Sequence, residues 1–211
     1  MSKRLEFVFF DFDDTLIDIG KTHSEAFRKA LLSYGIEIEF NYKDLAGLET
    51  REAFESLGID KKVSEELAKI KREIFIEISE EDYPRWNFGI SNLLNYLDKC
   101  EISYAIVSSG TKSRIISTLA KLNSVTRFSF IISREDVYRS KPHPEPYLLA
   151  LKKSSTNIEK ALVVEDSLSG VKSALSAGLK VWQITDELEG NIQTSLYGSA
   201  ESLQRWLTCQ I

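Results

Sequence analysis

Acidic side chains stand directly after two apolar runs. Phe7–Phe10 ends on Asp11-Phe12-Asp13-Asp14-Thr15, and Val163-Val164 ends on Glu165-Asp166. Carboxylates serve as nucleophiles, as general acids or bases, and as metal ligands, so clusters of them at strand ends are candidates for a reactive site. Each cluster also has a plain reading: Asp and Thr stop a strand and begin a turn, and Glu-Asp opens a loop or a helix. Together they weigh more. A parallel sheet brings both strand ends to one edge, where the carboxylates would repel one another strongly without a cation among them. Ligands that are all oxygen point to a hard divalent ion, Mg²⁺.

Two further segments offer positive or hydrogen-bonding groups. Ser108-Ser109-Gly110 follows the apolar run Tyr104–Val107 and precedes a helical pattern. The Ser109 hydroxyl and the Gly110 N–H at a helix N-terminus suit a phosphate; a plain N-cap is the alternative. Lys141 sits in Lys141-Pro142-His143-Pro144-Glu145-Pro146, whose prolines stiffen the loop and fix the lysine's position. Taken alone, it would read as a solvated surface lysine.

The elements that must position these groups follow from periodicity. Phe7–Phe10 is apolar on both faces, as a central parallel strand requires. Similar runs occur at 104–107, 128–132, 161–164 and, after Gly178, at 180–184. Between them, Ile90, Leu93, Leu94 and Leu97 have helical spacing, as do Ile115, Ile116, Leu119 and Leu122. Val171, Ala174 and Leu175 end at Ala177-Gly178, a helix stop. Strands alternating with helices predict an α/β fold, a Rossmann-like parallel sheet with helices on both faces.

One interval is too long for a crossover. From about Leu16 to Pro84 the chain holds several helical patterns, which predicts an inserted α-helical domain over 16–84 and a core of 1–15 and 85–211. Thr22 and Glu25 form a possible capping box ahead of Ala26, Phe27, Ala30 and Leu31, with Gly35 at the far end. Leu67, Ile70, Ile74, Phe75 and Ile78 mark a long amphipathic helix.

Composition narrows the function classes. The chain has 211 residues, 43% hydrophobic and 28% charged, with a formal net charge of -5. That balance gives no global attraction to nucleic acid or to an anionic membrane. The two cysteines, Cys100 and Cys209, form neither metal-ligand spacing nor a disulfide framework, and a reducing cytoplasm is the expected compartment. With two histidines, a His-rich metal site is excluded.

The four clusters fall in one order, and in that order the chain resembles the haloacid dehalogenase superfamily. The likeness is to its subgroup with a helical cap after the first strand, the phosphoglycolate phosphatases and β-phosphoglucomutases. The carrying residues are Asp11-x-Asp13-x-Thr15, Ser109, Lys141-Pro142-x-Pro144-x-Pro146-Tyr147, and Glu165-Asp166-Ser167-x-x-Gly170. The resemblance spans nearly the whole chain. It implies a Mg²⁺-dependent phosphatase acting on a small phosphorylated metabolite. Asp11 would be the nucleophile that forms an aspartyl-phosphate, and Asp13 the acid and then the base. Ser109, Gly110 and Lys141 would hold the phosphate. Asp11, the Asp13 carbonyl and Asp166 would hold the metal, with Glu165 direct or through water. Thr15 would orient Asp13 or the loop, or simply make a turn. The dehalogenases themselves lack an Asp where Asp13 stands, because halide leaves without a proton.

The alternatives are a sugar phosphomutase and a non-enzymatic phosphate-binding regulator. Related mutases carry a histidine where His23 stands and an arginine three positions after a cap-loop glycine. Here the glycine is Gly47, and Thr50 takes that place with Arg51 beside it. His23 is equally readable as a packing residue. Gly47 to Arg51 is expected to form a loop that helps choose the substrate, unless Arg51 merely begins the helix of Ala53, Phe54 and Leu57. Any closure of the cap would bend near Leu16–Asp18 and Tyr83–Trp86.

Overall fold

The computed structural model describes residues 4–45, 48–81, 84–185 and 196–208, apart from the side chains of Lys43, Glu80 and Glu81. Gly47, Tyr83 and Cys209 lie outside the described residues. The strands are β1 (Phe7–Phe10), β2 (Ser103–Val107), β3 (Ile131–Ile132), β4 (Ala161–Glu165), β5 (Lys180–Ile184) and β6 (Tyr197–Gly198). They form one parallel sheet in the order β3-β2-β1-β4-β5-β6. The fold is α/β and Rossmann-like. The helices are α1 (Gly20–Ser33), α2 (Tyr42–Leu45), α3 (Thr50–Ser56), α4 (Lys61–Glu81), α5 (Ile90–Lys99), α6 (Lys112–Lys121), α7 (Glu145–Ser154), α8 (Leu168–Ser176) and α9 (Ala200–Thr208).

The chain divides into two compact units, one of residues up to Asp18 and from Arg85 onward, the other Ile19–Pro84. In the sheet unit, β1 is buried at all four positions, which is why its sequence is apolar without alternation. Ile90, Leu93, Leu94 and Leu97 form the buried face of α5, as their spacing predicts. In the helical unit, Phe27, Ala30, Leu31, Leu45, Ala53, Phe54 and Leu67 make a separate core. Among the described residues, no helix is long and apolar enough to cross a membrane.

Several expectations are corrected. Leu16, Ile17 and Asp18 belong to the sheet unit rather than to the helical one. Leu16 and Ile17 are fully buried, Ile17 bridges antiparallel to Trp86, and the Asp18 N–H donates to the Arg85 carbonyl at 3.1 Å. The two crossings between the units are thus hydrogen-bonded to each other. The capping box at Thr22 and Glu25 does not form: α1 begins earlier, at Gly20, with Ile19 as its N-cap. Thr50 and Arg51 are the first residues of α3 and not a loop, so they follow the helical alternative. The strand expected at 128–132 shortens to Ile131–Ile132, although the Ser129 N–H still reaches the Tyr104 carbonyl and the Phe130 carbonyl accepts from Ile106. Beyond β5 the chain adds β6 and α9.

Phe54 is fully buried and meets Phe27 with ring centroids 4.9 Å apart. Phe54→Ala is expected to destabilise the helical unit by about 3–5 kcal/mol, read by urea unfolding followed by circular dichroism. A loss under about 1 kcal/mol would mean the site is not packed as described.

Candidate active site

Strand register assembles the acidic groups. Phe10 pairs with Ile106 on one side and with Val164 on the other. One residue further on, Asp11 comes level with Val107 and Glu165, at the carboxyl edge where the sheet order changes direction. Open α/β sheets bind ligands at such an edge. The Asp11 N–H donates to the Val164 carbonyl at 3.0 Å, so the carboxylate is carried by sheet backbone rather than by a free loop.

The chain then turns tightly. Leu16 and Ile17 N–H groups both donate to the Phe12 carbonyl, at 3.0 and 2.9 Å, and Asp14 adopts φ 58°. Asn87 secures this turn, its Nδ2 donating to the Asp14 carbonyl at 2.6 Å. Thr15 is fully buried and its hydroxyl donates to Asp166 Oδ1 at 2.8 Å. Thr15 therefore ties the first acidic segment to the second rather than orienting Asp13.

Lys141 is the hub. Its Nζ lies 2.5 Å from Asp11 Oδ1, 2.6 Å from Glu165 Oε1 and 2.7 Å from the Val107 carbonyl, with the side chain 4% exposed. A buried ammonium survives only if its charge and donors are matched, and here three acceptors match them. Burial opposes its charge, yet Asp11 and Glu165 hold the ammonium well above its usual range. Glu165 is also saturated: Tyr147 Oη donates to Oε1 at 3.0 Å, and the Ser167 N–H and hydroxyl donate to Oε2 at 3.2 and 3.1 Å. The loop before α7 is tied down by Glu145, which accepts from the Tyr138 and Arg139 N–H groups, and by Ser173, which donates to the His143 carbonyl.

Asp11, Glu165 and Asp166 bring carboxylate oxygens within 4.8 Å of one another. Burial pushes the Asp11 carboxyl up to about 8, with Glu165 and Asp13 adding to the rise and Lys141 opposing it. Burial, then Asp11, Glu165 and Asp14, raise Asp166 well above the carboxylate range. Lys141 occupies Oδ1 of Asp11 and Thr15 occupies Oδ1 of Asp166, so each keeps a second oxygen outside these bonds. A crowded, oxygen-only donor set with more negative than positive charge fits a hard divalent cation.

The remaining candidates are distributed unevenly. Ser109 is exposed, whereas Ser108 is buried at the end of β2, and the Ser108 hydroxyl accepts from the Gly110 N–H at 2.9 Å. Ser108 was legible as the first polar residue after the apolar run. Asp13 meets Arg114 through Oδ2, a partner no sequence signal announced. His23, Thr50 and Arg51 lie in the helical unit. His23 stacks on Phe75 at 4.3 Å and on Tyr42 at 5.5 Å, with Nδ1 2.5 Å from Lys71 Nζ. Arg51 binds Glu55 at 2.7 Å along α3.

Residues 8–184 match the family described as Haloacid dehalogenase-like hydrolase. The chain belongs to that family and is a hydrolase. It is 31% identical over 188 residues to a phosphorylated carbohydrates phosphatase of Thermotoga maritima, covering 83% of each chain. It is 27% identical to the 6-phosphogluconate phosphatase of Escherichia coli, covering 85% of this chain and 82% of that protein. The crystal structure of a β-phosphoglucomutase from Clostridium difficile superposes with a TM-score of 0.74 at 22% identity, over 98% of this chain and 96% of that one, a likeness of fold.

Two outcomes test this geometry. A Cβ on Gly170 would stand 1.7 Å from Glu165 Oε1, so Gly170→Ala is expected to expel the carboxylate and cost about 3 kcal/mol or more, measured by thermal unfolding. In metal-free protein, Mg²⁺ is expected to raise the melting temperature. Below about 8 the ion must displace the Asp11 proton, so the rise should be larger at pH 8 than at pH 6. An equal rise at both, or one untouched in Asp166→Asn, would contradict the carboxylate site.

Proposed function

We propose that this hydrolase cleaves a small phosphomonoester of the sugar-phosphate class through a phosphoryl group carried on Asp11. The observation that supports the reading most is the placement of Asp11, fixed at the end of β1 by the Val164 carbonyl and held at Oδ1 by a buried lysine. Its likeness to phosphatases of phosphorylated carbohydrates and of 6-phosphogluconate supports the substrate class.

In this reading a carboxylate oxygen of Asp11 attacks phosphorus and the ester P–O bond breaks. Asp13 gives the departing alkoxide its proton. Water then attacks the phosphorus of the acyl phosphate, Asp13 takes a proton back, and inorganic phosphate leaves with Asp11 restored. Lys141 supplies positive charge toward the equatorial oxygens, where the transition state spreads charge, together with the Ser109 N–H and the Ser108 and Ser109 hydroxyls. Asp11, the Asp13 carbonyl and Asp166 would hold Mg²⁺, with Glu165 acting mainly as the anchor of Lys141. When bound, the ion supplies positive charge that offsets the carboxylates and the phosphate oxygens.

The helical unit Ile19–Pro84 would carry substrate choice. Thr50 stands where the resemblance leads one to expect a mutase arginine, and Arg51 is engaged by Glu55, so hydrolysis is favoured over phosphate return to the product. The Asp11 and Asp13 pair would be superfluous in a mere phosphate-binding regulator.

Asp11→Asn is expected to abolish phosphate release from a panel of sugar phosphates assayed with Mg²⁺, with the fold intact by circular dichroism. Substantial turnover in a clean preparation would remove Asp11 from the reaction. Asp13→Asn should slow alkyl phosphates by about a hundredfold and 4-nitrophenyl phosphate far less, because nitrophenolate leaves without help.

A further inference from the structure

Arg114 lies in the first turn of α6, and its guanidinium binds Asp13 Oδ2. It reaches there through a narrow passage. The guanidinium carbon lies 5.6 Å from the centroid of the buried Phe12 ring, and a Cβ on Gly110 would stand 2.7 Å from its Nη2. The missing side chain at 110 is what lets the arm pass. The two side chains are 28% and 30% exposed, so this is not a freely solvated surface pair, whose geometry would wander. The other Asp13 oxygen, Oδ1, is buried and has no hydrogen-bond partner among the described residues. A buried carboxylate oxygen left unpaired is costly, and beside this charge cluster it is an acceptor still to be satisfied.

We propose that Arg114 is a positioning residue for proton transfer: it grips Asp13 by Oδ2 and thereby commits Oδ1 to the leaving oxygen. The inference rests on the reading of Asp13 as the acid and base. A free aspartate samples several rotamers, and its terminal torsion is broad. Proton transfer needs the donor within hydrogen-bond reach of the departing oxygen, and a misplacement of about 1 Å costs about a hundredfold. A guanidinium on one oxygen selects the rotamer and the rotation of the carboxylate together. Arg114 then acts on the rate only through Asp13, and its importance scales with how badly the leaving group needs a proton.

The test is a double-mutant cycle in the intact protein with Mg²⁺. Wild type, Arg114→Ala, Asp13→Asn and the double variant are compared on an alkyl sugar phosphate and on 4-nitrophenyl phosphate. The quantity read is kcat/KM, which reports phosphoryl transfer to Asp11 and not the later hydrolysis. Arg114→Ala is expected to lose about tenfold or more on the alkyl ester and less than about threefold on the aryl ester. Added to Asp13→Asn, it should cost no more than about twofold further, because residues acting as one unit are not additive. Equal losses on both esters, a gain, or an undiminished loss in the Asp13→Asn background overturns the proposal, the last by making Arg114 a direct substrate contact. Arg114→Gln, which keeps the stem, gives the same discrimination if the alanine variant melts early. A wild type inert on every ester overturns the hydrolase reading and the positioning with it. An active wild type whose alkyl-ester rate ignores Arg114 overturns the positioning alone.

Discussion

A buried ammonium with three acceptors organises this protein. Lys141 Nζ draws the side chains of Asp11 and Glu165 and the main chain of Val107 onto one point. Those acceptors sit on β4 and β2 and directly after β1, neighbouring strands, so the contact reads out strand order directly. Had β4 paired anywhere but beside β1, the lysine would lack an acceptor, and a lone buried ammonium costs several kcal/mol. Sheet topology and the charge cluster are therefore one constraint seen from two sides.

The surrounding chain keeps that charge cluster from relaxing. Tyr147 and Ser167 saturate Glu165, so it cannot turn away from Lys141 without leaving buried donors unpaired. Gly170 leaves room for its carboxylate, which even a methyl group would fill. Thr15 joins the turn after β1 to Asp166, and Asn87 ties the same turn to the segment returning from the helical unit. The turn is strained at Asp14, with φ 58°.

Two cations meet a larger number of carboxylates here, and they divide the work. Lys141 neutralises the deep pair, Asp11 and Glu165, while Arg114 reaches the half-exposed Asp13. Burial, and after it the neighbouring carboxylates, raise the Asp11 and Asp166 carboxyls. A phosphate dianion bound there would add to that burden, and further positive charge at the carboxylate edge would offset it.

Much was legible without the fold. Strands buried on both faces must be apolar throughout, so Phe7–Phe10, Tyr104–Val107 and Ala161–Val164 announced a parallel sheet, and the polar residues that ended them marked its carboxyl edge. Helical spacing announced α4, α5, α6 and α8 for the same reason: burial is a property of one residue and its near neighbours. Pairing is not. That Ser108 is buried and Ser109 exposed depends on where β2 ends, that α1 starts at Gly20 depends on how Ile19 leaves the sheet unit, and the two-residue β6 exists only beside β5. The meeting of Arg114 with Asp13, and of Tyr147 with Glu165, needs strands brought side by side and rotamers fixed by packing. Sequence by itself determined which groups could react, because residue type and periodicity are local; the tertiary structure alone decided which atoms face one another, because that choice is made between residues far apart in the chain.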